Sequence, residues 1–299
     1  MDIETLNSLH FNAGYLVFKE GPGGIPVALI TTPDATAAIT PYGAQLLSCR
    51  FANNDNGLLF LSEKAIFQEG TPIRGGVPIC WPWFGPDPKQ LNRPDHGLVR
   101  TRMWRVASSV ITQDRECIIT FEITDTPETY ALWPHRFRLT LKVTVGKQLT
   151  MELTTRNLGD TPLELTQALH TYFAIGDITH VSITGLEGLV YADQTDNGHD
   201  KREGIAIRID AETDRVYPTA GGDIVIQDDT LKRNIRIESE RSKTAVVWNP
   251  WIRVCEQKAD LALEDYKKMV CVETANAGDD IITLQSNEDY TLKAVYSLE

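Results

Sequence analysis

Hydrophobic and polar residues alternate through the middle of the chain with the period of a β-strand. Over residues 136–145, RFRLTLKVTV, every second position is apolar, a pattern typical of a strand with one buried face. The alternation resumes over 149–153 after a turn at 146–147, and again over 163–165 after a turn at 157–162. These segments predict an antiparallel meander.

Short apolar segments of the same kind recur along the rest of the chain, whereas helical signals are few. Two stretches, 126–133 and 260–268, each predict a helix too short to organise a layer. Many short strands separated by turns favour an all-β antiparallel sandwich over alternating βαβ units. No linker, charge block or repeat divides the chain, so we expect a single domain over residues 1–299. Further strands are predicted at 57–62, 103–112, 116–124, 222–228, 234–240, 244–249 and 290–298.

The composition narrows the classes of partner. The 299 residues are 42% hydrophobic and 23% charged, as in an ordinary soluble protein. Because 41 acidic residues outnumber 29 basic ones, the net charge of −12 repels phosphate backbones, and we expect no nucleic-acid partner. Five scattered cysteines without a Cys-x-x-Cys pair predict reduced thiols and no zinc site. Neither a signal peptide nor a long apolar run is present, so the expected location is the cytoplasm, away from membranes.

Two loops rich in proline and glycine each carry an isolated arginine. Residues 72–88, PIRGGVPICWPWFGPDP, hold Arg74, and their prolines and glycines exclude a helix or a central strand. The dense aromatic residues argue against disorder, so we predict an ordered functional loop. Arg100 follows Asp95 and His96 in RPDHGLVR. Arg100 is either a surface cation paired with Asp95 or a partner of Arg74 in gripping a phosphate.

Four further residues are candidates for chemistry, each with an ordinary structural alternative. His170, in QALHTYFAIGDI, is either a core histidine or a general acid or base. Glu273, in MVCVETANAG, is either a solvated strand-end acid or a buried base whose pKa burial would raise. Asp214, in AETDRVYP, is a turn acid or a ligand, and Trp248, in VVWNPW, is a core aromatic or a platform for a sugar ring.

The sequence lacks the motifs of several common enzyme classes. There is no G-x-G-x-x-G, G-x-x-x-x-G-K-[ST], G-x-S-x-G or H-E-x-x-H. Nucleotide-binding, serine-hydrolase and zinc-protease interpretations therefore have no support.

The motifs IRGGVPICWPWFGP, DHGLVR, ALHTYFAIGDI, ETDRVY, WNPW and VCVETA resemble, in order and spacing, those of the hexose-6-phosphate mutarotases. These glucose-6-phosphate 1-epimerases belong to the wider aldose 1-epimerase group, and the similarity runs from about residue 40 to the C-terminus. The resemblance implies an antiparallel, galactose-mutarotase-like β-supersandwich with a cleft on its large sheet and no metal or cofactor.

The resemblance also implies a role for each candidate residue. It makes Glu273 the general base and His170 the general acid. Arg74 and Arg100 would hold the sugar phosphate, and Asp214 would contact the sugar hydroxyls. The full predicted substrate-binding set is Arg74, Arg100, His96, Asp214 and Trp248.

One position departs from the pattern. Asp95 stands where many relatives have glutamine. An acid beside a phosphate repels it unless a cation such as Arg100 intervenes, so Asp95 is a doubtful ligand.

The expected activity is therefore exchange of the α and β anomers of a hexose 6-phosphate. The expected substrate is glucose 6-phosphate, and the expected oligomeric state is a monomer. Ionised Glu273 would take the proton of the C1 hydroxyl while protonated His170 donates to the ring oxygen. Two alternatives stay open. One is an epimerase for free aldoses, and the other is a silent carbohydrate-binding sandwich in which His170 and Glu273 are structural.

Overall fold

The computed structural model describes residues 2–299. Its longest pairing joins the two segments in which the alternation is strictest, with Phe137 opposite Asn157 and Val145 opposite Leu149. Every second residue of both strands is buried, as the sequence pattern requires. The strands are β1 Leu16–Glu20, β2 Pro26–Thr31, β3 Ala35–Thr40, β4 Gln45–Phe51, β5 Ile79–Cys80, β6 Arg105–Ile111, β7 Cys117–Thr124, β8 Phe137–Val145, β9 Leu149–Asn157, β10 Leu163–Leu165, β11 Gln167–Leu169, β12 Tyr172–Ala174, β13 Val181–Thr184, β14 Val190–Asp193, β15 His199–Arg202, β16 Thr213–Tyr217, β17 Ile224–Asp228, β18 Arg233–Glu240, β19 Thr244–Asn249, β20 Met269–Asn276, β21 Ile282–Leu284 and β22 Asp289–Leu298.

Helices are short and few in the described part of the chain. The α-helices are α1 Ile3–His10, α2 Pro127–Leu132 and α3 Trp251–Gln257, and 3₁₀ turns occur at Pro22–Gly24, Ile178–His180, Gln194–Asp196 and Asp265–Lys267.

Two eight-stranded antiparallel sheets form the body of the molecule. One has the order β13-β17-β18-β22-β9-β8-β7-β6. The other, called here the cleft sheet, has the order β15-β14-β16-β19-β20-β11-β5, with β12 also paired to β20. A four-stranded sheet, β1 to β4 in sequence order, and the pair β10-β21 complete the strands. The predicted all-β, antiparallel fold is confirmed.

The hydrophobic core lies between the two large sheets. Val247, Val270 and Val272 of the cleft sheet belong to the same buried cluster as Leu141 and Leu153 of the opposite sheet. Every residue of β20 is buried, so this strand contacts the core with one face and something else with the other. The second face of the cleft sheet carries the candidate site described below.

Some local predictions were wrong. Residues 57–62 make only isolated bridges, Leu59 to Phe173 and Leu61 to Gly75, instead of a strand. Residues 260–268 hold one 3₁₀ turn, because hydrogen bonds to the carboxylate of Asp265 shape this segment as a loop. The helices α1 and α3 were missed because each buries a single residue and so lacks a hydrophobic stripe.

All five cysteines are free and buried. Within residues 2–299, no helix has the length and apolar character of a membrane span.

The loop of His96 and Arg100 reaches the sheet through a close backbone contact. Trp81 bridges Gly97, and the amide of Leu98 donates to the carbonyl of Trp81 at 2.8 Å. Gly97 has φ +83°, and a Cβ atom there would lie 1.9 Å from the carbonyl oxygen of Trp81. Only glycine lets the two segments approach in this way.

Gly97→Ala should therefore lower the free energy of unfolding by about 3 kcal/mol or more, since a positive φ and a backbone clash both oppose it. Urea denaturation of Gly70→Ala is the matched control, because Gly70 has the same φ of +83° but open space around it. The control should lose only about 1–2 kcal/mol. Equal losses in the two variants would show that the contact with Trp81 contributes nothing.

Candidate active site

His170 and Glu273 are cross-strand neighbours, although 103 residues separate them in sequence. β11 pairs Leu169 with Thr274 of β20, and β12 pairs Tyr172 with Cys271 in the same register. That register, continued through the two-residue gap, sets His170 opposite Glu273. Side chains so placed have Cβ atoms about 5 Å apart. His170 Nδ1 lies 3.2 Å from Glu273 Oε1.

The loop 72–88, which carries Arg74, joins the cleft sheet at the gap between β11 and β12. The amide of His170 donates to the carbonyl of Pro78 at 3.0 Å, and the amide of Tyr172 donates to that of Gly76 at 2.9 Å. The chain thus leaves the ladder with β20 at residues 170–171, and the amides of His170 and Tyr172 bond the segment that carries Arg74. The acid–base pair and the arginine loop are held together by main-chain hydrogen bonds.

The side chains of the pair are almost closed off from solvent. The Glu273 side chain is 1% exposed and that of His170 is 10% exposed. The His170 ring stacks on Tyr172 with centroids 4.8 Å apart and an interplanar angle of 11°. Among the described residues, neither His170 Nδ1 nor Glu273 Oε2 has a hydrogen-bond partner. The 3.2 Å approach is therefore close but poorly aligned, and polar atoms remain available to a ligand.

Burial pushes both members of the pair toward their neutral forms. It raises the pKa of Glu273 well above the ordinary value, and the charge of Asp214 adds to this effect. It lowers the pKa of His170 well below the ordinary value, and the nearby His96, Arg100 and Arg74 add to it. The environment thus favours protonated Glu273 beside neutral His170, whereas the expected chemistry begins from the ion pair. The two forms hold the same number of protons, so one proton moving between the side chains interconverts them.

Arg74 faces the cavity but is already paired. Its Nε and Nη2 atoms each lie 3.0 Å from Asp260 Oδ2, and its Nη1 donates to the hydroxyl of Tyr172 at 3.0 Å. The side-chain amide of Gln45 donates to the carbonyls on either side of it, at Ile73 and Gly75. The loop therefore holds the guanidinium rigidly, with its charge compensated by a carboxylate.

Arg100 lies in the same cavity without such compensation. It donates from Nη2 to the main-chain carbonyl of Asp95 at 2.8 Å. The predicted alternative, pairing with the Asp95 carboxylate, is wrong, because within residues 2–299 no carboxylate forms an ion pair with Arg100. The Asp95 side chain lines the cavity, so its effect on a bound anion still has to be offset.

His96 and Asp214 approach the pair from two sides. The amide of Gly85 donates to His96 Nδ1 at 3.2 Å, which leaves the ring proton on Nε2. Burial, helped by Arg100 and Arg74, lowers the pKa of His96 to about 3. Asp214 lies on β16 opposite Trp248 of β19. Burial, with Asp193 and Glu212 adding negative charge, raises the pKa of Asp214 to about 6.

One cavity of about 340 Å³ brings all the predicted residues together. Sequence analysis missed several of its walls, including Glu212, Val254 and Lys258, which lie in segments with no motif. The predicted residues that line the cavity are Arg74, His96, Arg100, His170, Asp214, Trp248 and Glu273. Their individual roles stay predictions.

Three donor atoms, two of them from the His170–Glu273 pair, lie closely enough together to hold a metal ion. The side chains of His170, Cys271 and Glu273 each offer one atom, all within 4.8 Å of one another. Burial, with the charge of Glu273 adding to it, raises the pKa of the Cys271 thiol well above the ordinary value. Because a metal needs the thiolate, this environment disfavours coordination.

The fold and the cavity define an antiparallel β-sandwich protein in which a buried histidine–glutamate pair lies beside two arginines. The comparisons with known proteins identify the family. Residues 26–297 match the aldose 1-epimerase family, to which this chain belongs. The predicted membership of the aldose 1-epimerase group is therefore confirmed.

Several relatives cover most of the chain. A protein of Escherichia coli K12 is 37% identical over 85% of this chain and 84% of its own length, and one of Cenchrus ciliaris is 35% identical over 90% and 83%. Both are named as candidate glucose-6-phosphate 1-epimerases. The crystal structure of a candidate mutarotase from Salmonella typhimurium superposes with a TM-score of 0.89 at 29% identity, covering 99% of this chain and 98% of that one.

Asp214→Asn should stabilise the protein at neutral pH. An acid whose pKa rises from 3.8 to about 6 on folding makes the folded state less stable as the pH increases between those values. Asparagine removes that loss, so the free energy of unfolding at pH 7.5 should increase by about 1–3 kcal/mol, and the gain should vanish near pH 4. Chemical denaturation across this pH range measures the difference.

The control is Asp196→Asn. The carboxylate of Asp196 is bonded to Lys201, which lowers its pKa, so its loss should bring no gain at pH 7.5. A gain for Asp214→Asn that does not change with pH would contradict the assigned ionisation.

Proposed function

We propose that this protein interconverts the α and β anomers of a hexose 6-phosphate, with glucose 6-phosphate as the expected substrate. The observation that supports this most directly is the His170–Glu273 pair, 3.2 Å apart in a cavity that also contains an uncompensated arginine. The names of the Escherichia coli and Cenchrus ciliaris relatives point to the same substrate.

The proposed reaction requires two proton transfers and no covalent intermediate. One member of the pair removes the proton of the C1 hydroxyl, and the other protonates the ring oxygen, so that the C1–O5 bond breaks and an aldehyde forms. Rotation about C1–C2 presents the other carbonyl face, and closure returns both protons. We assign removal to Glu273 and donation to His170, which requires the ion-pair form. A single proton transfer from Glu273 to His170 supplies that form when substrate binds.

The remaining walls would bind the sugar and its phosphate. The rings of Trp248 and His170 meet in a T-shaped arrangement with centroids 6.1 Å apart, so a sugar ring held over the pair would contact the indole. Asp214, whose charge raises the pKa of Glu273, would accept hydrogen bonds from the sugar hydroxyls when ionised. Arg100 and Arg74 would hold the phosphate away from C1, so that binding energy remote from the reacting atoms orients the ring.

Two other functions make different use of the same cavity. A free-aldose epimerase would use the pair and ignore the arginines. A binding protein would use Trp248 and Asp214 and leave the pair idle. The unpartnered buried atoms on His170 and Glu273 favour catalysis, because a purely structural pair is normally satisfied by hydrogen bonds.

Glu273→Gln should lower the turnover number for anomer exchange by about 10²- to 10⁴-fold, the usual contribution of one positioned proton-transfer group. The measurement is exchange between α and β glucose 6-phosphate at equilibrium, followed by two-dimensional NMR. The control is Glu152→Gln, which should retain full activity. Glu152 lies on β9 of the sheet opposite the cleft sheet and pairs with Lys142 of the neighbouring strand β8. A wild-type protein that does not accelerate exchange would leave only the binding function.

Arg100→Ala should raise KM for glucose 6-phosphate by roughly 10- to 100-fold, since a charge-assisted hydrogen bond is worth about 1.5–3 kcal/mol. Activity toward free glucose should hardly change. Arg74→Ala should differ by also lowering stability, because it leaves the Asp260 carboxylate unpaired. If removal of Arg100 affects both sugars equally, the phosphate is bound elsewhere.

A further inference from the structure

We infer that Lys258 is a third cation for the substrate phosphate and that, with Arg100, it supplies the net positive charge that the dianion meets. This inference rests on the proposed function and extends it to a residue that neither a motif nor the resemblance singles out.

The two arginines differ in how far their charge is compensated. The Asp260 carboxylate, in contact with two nitrogens of the Arg74 guanidinium, cancels the charge of that residue at short range. Arg100, bonded to a neutral carbonyl, keeps its charge. The two predicted phosphate ligands therefore contribute a net charge of one, not two.

The phosphate carries more negative charge than one arginine can balance. A phosphate monoester carries about −1.5 to −2 charges at pH 7. The cavity also contains the carboxylates of Asp95, Glu212 and Asp214, and the whole chain has a net charge of −12. The ion pair of Glu212 with Arg253 offsets one of these acids, but a single arginine leaves the dianion undercompensated.

Lys258 lies at the end of α3, at the wall of the cavity. It is the C-cap of α3, where its amide donates to the carbonyl of Val254. The amide of Leu261 donates back to the carbonyl of Lys258 and closes a turn that also carries Asp260, the partner of Arg74. The same short turn thus neutralises one cation and presents another at the cavity wall.

The side chain of Lys258 is available for a ligand. It is exposed, and within residues 2–299 it forms no ion pair. An ammonium group on a flexible stem suits a phosphate at a cavity mouth, where it acts as a point charge. A residue so placed should affect capture of the phosphorylated sugar, and thus KM, much more than the turnover of bound substrate.

The test compares Lys258→Met with Lys147→Met, a control that makes the same change in net charge. Lys147 is exposed in the turn between β8 and β9 and does not line the cavity. Anomer exchange of glucose 6-phosphate and of free glucose is measured at two salt concentrations for both variants, for Lys258→Arg and for the wild-type protein.

We expect Lys258→Met to raise KM for glucose 6-phosphate about 3- to 10-fold, the modest effect of an exposed cation, with little change in kcat or in activity on glucose. The increase should shrink at high salt, and Lys258→Arg should restore most of the affinity. Lys147→Met should behave like the wild-type protein.

An unchanged KM in Lys258→Met, or an equal change of KM in Lys147→Met, would overturn the role of Lys258. The proposed function would still stand if the wild-type protein accelerates anomer exchange of glucose 6-phosphate. A wild-type protein that exchanges glucose but not glucose 6-phosphate faster than water would overturn both. Since Lys258 is exposed, loss of folding should not obscure the result, and urea denaturation of each variant checks this.

Discussion

The antiparallel register of β20 against β11 and β12 is the constraint on which the site depends. It sets His170 opposite Glu273, while Cys271 and Glu273 alternate with core valines on the same strand. Because side chains in a strand alternate between faces, a slip of one residue would turn the glutamate into the core. The buried sheet that stabilises the fold therefore also fixes the spacing of His170 and Glu273.

The same burial gives the pair its unusual chemistry. A carboxyl group and an imidazole taken out of water lose the stabilisation of their charged forms, which moves the two pKa values in opposite directions. Under the proposed function, each group can then exchange a proton either with a bound substrate or with the other member of the pair. Burial of the pair also leaves polar atoms of both side chains without hydrogen-bond partners in the folded protein. Such unsatisfied groups are common at functional sites.

Sequence analysis predicted the fold class because period-two alternation over 136–153 is a local property that burial of one sheet face enforces. It also selected residues that converge in one cavity, through motifs and the family resemblance. It missed what depends on long-range contact. Asp260 follows no motif, and its pairing with Arg74, 186 residues away, requires the fold to be known. The helix α3 escaped notice for a related reason, since tertiary packing and not periodicity holds it.

The charges around the cavity are arranged so that binding and chemistry are coupled. Arg74 and Arg100 contribute to the low pKa of His170, whereas Asp214 contributes to the high pKa of Glu273. Under the proposed function, a phosphate at the arginines offsets part of the positive charge that adds to the effect of burial in keeping the imidazole neutral. The pKa of His170 then rises, and the ion pair gains stability relative to the neutral pair. A free sugar brings no such charge, so preference for the phosphorylated substrate would extend beyond affinity to the protonation state that the reaction needs.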